Sequence, residues 1–117
     1  MKLAQLYQLK PYFNDRQWLV KTMNQLNKDL TMIGMPAIEE AVPDTLKQLA
    51  QILSPYFDNI IKYKPHKWAE FLYRIDLPEN MLHEAMNDET EEEVTVASYI
   101  LKRELFKVYA RTLYRPK

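Results

Sequence analysis

Two histidines each stand one helical turn from a glutamate: His66 with Glu70, and His83 with Glu79. On a helix, residues four apart share a face, so each pair sets an imidazole beside a carboxylate, a donor set that can hold a metal. The surrounding pattern is missing. Di-iron bundles repeat Glu-x-x-His at i, i+3 with further inward glutamates, and zinc proteases need His-Glu-x-x-His, whereas His83-Glu84 has no second histidine after it. A metal-binding helical protein is therefore only a remote alternative, and no metal ligand or cofactor is assigned.

Covalent and acid–base chemistry fare no better. Ser54 and Ser98 are the only serines, and the lone glycine, Gly34, cannot build the glycine-flanked elbow of a serine nucleophile. Cysteine is absent, which removes thiolate nucleophiles, thiolate metal sites and disulfides together. The acids of Thr90-Glu91-Glu92-Glu93 crowd one turn in water, instead of occupying the contrasting environments that split an acid from a base. No catalytic residue is assigned, and a non-enzymatic protein is expected.

The residues that most resemble a binding surface lie near the C-terminus. Arg103, Lys107 and Arg111 recur every four residues, with Tyr99 in the same register and Tyr109 and Tyr114 close by. Between Leu77 and Leu101 there is no lysine or arginine, while Glu79, Glu84, Asp88, Glu89, Glu91, Glu92 and Glu93 crowd in. Charge is thus segregated, although sixteen basic residues balance sixteen acidic ones. That zero total argues against a nucleic-acid partner drawn in by a global field. The basic stripe either complements the helix dipole as a solvated face or meets phosphate or an acidic partner.

These residues must be positioned by helices. One glycine cannot serve phosphate loops, tight hairpins and dinucleotide folds, and the apolar residues between the seven prolines recur at helical spacing. Leu19, Met23, Leu26, Leu30 and Ile33 form one seam, opened by a capping box at Asn14 and Gln17 and stopped by Gly34. Asp44 is the expected cap of the next run, Leu46, Leu49, Leu53, Phe57, Ile60 and Ile61, within which Ser54-Pro55 either restarts or kinks the helix. Trp68, Phe71, Leu72 and Ile75 form a stripe after Pro65. Boxes at Asp76/Glu79 and Thr90/Glu93 are expected to open a short helix bearing Met81, Leu82 and Met86, and then the final helix. That last helix carries two adjoining apolar stripes, one with Val94, Ala97, Leu101, Leu105 and Val108, the other with Val96, Ile100, Tyr109 and Leu113, so it is placed centrally.

The segments Leu9-Lys10-Pro11-Tyr12-Phe13-Asn14-Asp15 and Leu53-Ser54-Pro55-Tyr56-Phe57-Asp58-Asn59 nearly repeat. The likeness ends outside seven residues, so it reads as helix punctuation with an aromatic anchor and not as a stacking repeat.

With 117 residues and 47% hydrophobic composition, the chain is expected to form one all-α domain over residues 1–117. The expected architecture is a bundle of four to six helices with long first and last helices and short proline-delimited ones between. The N-terminus lacks the apolar core of a signal peptide, and no stretch is apolar enough for a membrane span, which points to a cytoplasmic protein. Two tryptophans, eight tyrosines and six methionines favour a protein-interaction domain that binds a protein partner or a second copy. The alternative is an anion or nucleic-acid binder using the basic C-terminal helix.

Overall fold

Each helix boundary is set by local capping chemistry. The computed structural model describes residues 9–77, 80, 82 and 95–113. Among these, α1 (Arg16–Met32), α2 (Leu46–Tyr63), α3 (Pro65–Arg74) and α4 (Val96–Leu113) are α-helices, a 3-10 turn occupies Lys10–Tyr12, and no strand occurs. The all-α reading stands.

α1 is capped by Asp15, not Asn14: the Asp15 carboxylate accepts from the amides of Gln17 at 3.0 Å and Trp18 at 3.4 Å. An ionised acceptor at the positive end of the helix dipole explains the one-residue shift. The helix stops as expected at Gly34, whose φ of 83° lets the Met35 amide reach back to the Leu30 carbonyl at 2.9 Å and the Gly34 amide to Thr31 at 3.1 Å. Thr45, one residue after Asp44, caps α2 by accepting from the Gln48 amide at 3.1 Å. Pro65 occupies the first turn of α3, where its missing N–H costs nothing.

The end of α3 corrects one expectation. Asp76 does not open a helix; it closes α3 in the left-handed conformation at φ 59°, with the Leu77 amide bonded to the Leu72 carbonyl at 2.9 Å. A short polar side chain tolerates that conformation better than a branched one. Of the short helix expected next, Asn80 and Leu82 are described, both helical and Leu82 buried; Glu79, Met81, Met86 and the Thr90/Glu93 box lie outside the described residues. α4 is capped by a reciprocal pair in which the Thr95 amide donates to Ser98 Oγ and the Ser98 amide to Thr95 Oγ1, each at 3.0 Å.

A second correction concerns length. α2 runs unbroken through Pro55 and, at 18 residues, equals α4 and exceeds the 17 of α1, so it is no short connector. Proline removes one i to i−4 hydrogen bond, but Pro55 and Gln51 are both exposed, which leaves the freed Gln51 carbonyl in reach of water. Meanwhile Leu49, Leu53, Phe57 and Ile60 stay buried on one continuous face. Burial on both sides of the proline outweighs one lost bond.

α4 sits at the centre, packed against both α1 and α2, while α3 folds back on α2 and touches α1. Ala97, Tyr99, Ile100, Leu101, Leu105 and Val108 of α4 are all buried, while Val96 and Tyr109 are partly buried. The long connection from Ile33 to Thr45 is held by α1: the Asn27 side chain accepts from the Ile38 amide at 2.8 Å and donates to the Ile38 carbonyl at 3.1 Å.

The two near-repeats occupy unlike settings. In the first, Pro11 and Tyr12 lie in the 3-10 turn, and Tyr12 packs with Trp18 (4.5 Å between ring centroids) and Tyr109 (5.6 Å), tying the turn to α1 and α4. In the second, Phe57 lies mid-helix and meets Phe71 at 6.0 Å and Trp68 at 6.1 Å, tying α2 to α3. Different members of the motif serve as anchors. Phe57 is fully buried and Phe13 only partly. Phe57→Ala should therefore cost about 3–5 kcal/mol and Phe13→Ala only about 1–2 kcal/mol, measured by denaturant melts; equal losses would contradict this packing.

Candidate functional site

Three helices converge on a buried acid. Asp29 lies on the α1 face that also carries Thr22 and Gln25, just beside the apolar seam, and its side chain is fully enclosed. Three donors hold it: Lys107 Nζ of α4 at 2.7 Å and Gln25 Nε2 at 3.2 Å on Oδ2, and Arg74 Nε from the last turn of α3 at 2.9 Å on Oδ1. Burial alone would raise the Asp29 pKa. Hydrogen bonds from Glu104, Lys107 and Gln25, with the Lys107 charge, outweigh it and keep the carboxyl below its ordinary value.

Glu104, also on α4, is equally enclosed and behaves in the opposite way. Burial first, then hydrogen bonding to Asp29 and the Asp29 charge, push its pKa up to about 9, against a weaker opposing pull from Lys107 and Arg103. Geometry says the same. As an ion, Glu104 would leave both oxygens without a hydrogen-bond donor, its nearest cation being Lys107 Nζ at 3.7 Å. As an acid it becomes a donor itself, with the Asp29 carboxylate as acceptor, so the two acids share one proton.

Opposed pKa values in adjacent carboxyls are the mark of an acid–base pair in an enzyme. Here neither side chain has exposed surface, and Lys107 and Arg74 lie over Asp29. The arrangement clamps three helices together, and the cations over it line a groove.

The groove, of about 420 Å³, is lined by Lys28, Arg74, Arg103, Lys107 and Arg111, with Phe106 and Ala110 as its apolar wall. The stripe of Arg103, Lys107 and Arg111 is turned toward α1. Lys107 reaches Asp29, Arg111 Nη2 donates to Gln25 Oε1, and an Arg103 Nη lies 3.7 Å from the exposed carboxylate of Asp76. The Arg103 guanidinium also stacks 5.6 Å from the Phe106 ring, and its Nε is buried with no acceptor. Burial lowers the Arg103 pKa from its ordinary value, opposed by the charges of Asp76, Glu104 and Asp29.

The structure thus brings together Arg103, Lys107 and Arg111. It does not bring in the tyrosines: Tyr99 is 2% exposed in the core, Tyr109 packs in the Tyr12–Trp18 cluster, and Tyr114 lies outside the described residues. His66 is exposed and its expected partner Glu70 lies 3.7 Å from Lys67; His83 and Glu79 are not among the described residues. Among the described residues no three metal-ligating acids or histidines stand together, and no helix is long and apolar enough to cross a membrane. Asp29 and Glu104 were not singled out by spacing, although Glu104 lies three residues after Leu101 and four before Val108, in phase with a buried stripe. No protein-family model, curated protein or solved structure matches this chain.

Proton linkage follows with a definite sign. The folded chain retains on Glu104 a proton that the unfolded chain, with the ordinary value of 4.5, has released by neutral pH. The stability this contributes is complete below about pH 4.5 and is lost as pH rises through about 9. Asp29 acts oppositely, and its contribution is lost as pH falls through its depressed value. Chemical melts should show stability falling by on the order of 1 kcal/mol per pH unit between neutrality and pH 9. Glu104→Gln, which keeps a donor for Asp29, should flatten that slope and exceed the wild type at pH 8.5; parallel slopes in the two proteins would refute the shared proton.

Proposed function

We propose that this chain is a non-enzymatic helical domain that binds an acidic protein partner through the groove between α1, α4 and the end of α3. The observation that carries this reading is the imbalance of charge lining the groove: five cations against the single carboxylate of Asp29. Much of the charge on Lys107 and Arg74 is committed to Asp29, while Lys28 and Arg111 are exposed at the rim and Arg103 is only loosely paired. Cations so arranged steer an acidic surface to one place. Phe106 and Ala110 give the same groove an apolar contact.

A second copy of the chain is one candidate partner, because its own sequence carries Glu89, Glu91, Glu92 and Glu93. Most of the described apolar face of α4 is buried against α1 and α2, with Val96 and Tyr109 partly exposed. The anion or nucleic-acid reading draws on the same cations, but the groove is short and Phe106 is the one aromatic ring among its lining residues, which offers little stacking surface for bases. A cytoplasmic setting suits a cysteine-free binding domain of this kind.

Reversing the whole basic stripe would not test this, because glutamate in place of Lys107 would set a third acid against Asp29 and Glu104. Lys28→Glu combined with Arg111→Glu spares that clamp. A labelled polyglutamate peptide should bind the wild type and lose about tenfold affinity between low and physiological salt, as the screening length contracts. The double variant, with unchanged helical circular dichroism, should bind about tenfold more weakly at low salt. Salt-indifferent binding equal in both proteins would contradict the proposal. Preferential binding of a single-stranded oligonucleotide would move the function to nucleic acid. Sedimentation at low salt tests the copy-to-copy version, which a strict monomer at all concentrations excludes.

A further inference from the structure

The geometry points to a phosphoryl-binding site in this groove, in which a phosphate group seats against Arg103, Arg74 and Arg111 with Lys28 at the rim. The inference rests on the acidic-partner reading above and narrows it to the group that is recognised. The first reason is the buried Nε of Arg103, a guanidinium donor with no acceptor among the described residues. An uncompensated buried donor is costly, and its neighbour Asp76 is a poor remedy, being 77% exposed and 3.7 Å from a different nitrogen. A phosphate in the groove that Arg103 lines would give this guanidinium the anionic partner that Asp76 supplies only at a distance.

The second reason is the number and placement of cations. Five cationic side chains less one carboxylate leave an excess of four positive charges along the lining, or three if the adjacent Asp76 is counted. They come from three helices: Lys28 from α1, Arg74 from α3, and Arg103, Lys107 and Arg111 from α4. A carboxylate carries one charge in one plane and satisfies one guanidinium well. A phosphate monoester carries nearly two charges on three oxygens that point in different directions, and so accepts from guanidiniums on separate elements at once. The protonated state of Glu104 completes the case, because a second carboxylate beneath the groove would repel a dianion.

The test uses the full chain with its arginine Nε–H resonances as reporters, in a low-salt buffer. Inorganic phosphate is added first, against chloride at equal ionic strength. Two peptides of identical acidic sequence follow, one carrying phosphoserine and one carrying unmodified serine. The expected result is a saturable shift of the Arg103 Nε–H with phosphate but not chloride, and binding of the phosphopeptide about tenfold or more tighter than its unmodified twin. Lys28→Gln with Arg111→Gln should erase most of that preference with helical circular dichroism unchanged. Inorganic phosphate alone shifting the resonance, with the peptides binding equally, assigns the site to free phosphate and overturns its role on a partner. Equal peptide binding with no phosphate response overturns the phosphoryl site and leaves the acidic-partner reading standing. If neither phosphate nor either peptide binds, both fall.

Discussion

The ion pair between Lys107 and Asp29, 2.7 Å long and fully enclosed on the carboxylate side, is the constraint on which the arrangement of helices depends. An ionised carboxylate withdrawn from water is tolerated only when donors replace its hydration. Asp29 obtains three, one from its own helix and one each from α3 and α4. Apolar contacts could be kept if a helix slid by a turn and repacked. These bonds could not. One turn below Asp29, Gln25 accepts from Arg111, which stands one turn beyond Lys107. The two contacts, four residues apart on each helix, meet in reverse order, so α1 and α4 run antiparallel, and the buried Asp29–Lys107 contact is the one that holds their register.

Glu104 makes the clamp workable. Two carboxylates side by side in a closed site would repel, and the lysine ammonium and the Arg74 guanidinium would have to serve both. Retaining one proton lets Glu104 act as a further donor to Asp29, which removes the competition between two buried acids. The same proton shapes the surface above. Because only one negative charge lies beneath the groove, the basic side chains that line it keep most of their field, and a feature of the core thereby sets the character of the site.

Much of the fold was legible in the sequence because helix grammar is local. The seam from Leu19 to Leu30, the stripe from Trp68 to Ile75 and the Gly34 stop all follow from spacing within a turn or two. The misreadings occurred where two local rules competed. Asn14 and Asp15 are both good caps, and the charged one prevails; Asp76 can open a helix or close one, and the closing geometry prevails. Pro55 allows a restart or a kink, and buried contacts on both sides carry α2 through it. The site was harder. Arg103, Lys107 and Arg111 were visible as a stripe, but whether they face water or α1 depends on how two helices dock, which no window along the chain contains. Asp29 falls in Asn27-Lys28-Asp29, which reads as a solvated surface. Its burial arises from its partners on α3 and α4, 45 and 78 residues away.

The claim at the centre of this account is that Glu104 is a neutral acid beside an ionised Asp29. Carbon-13 resonances of the two side-chain carboxyls, followed by NMR as pH is raised, measure this directly. The account predicts that the Glu104 carbon retains the shift of a protonated acid through neutrality and titrates near pH 9, while the Asp29 carbon already has the shift of a carboxylate at pH 5. A Glu104 carbon that titrates near 4.5, as an ordinary glutamate does, would contradict it and would leave the basic groove without its neutral floor.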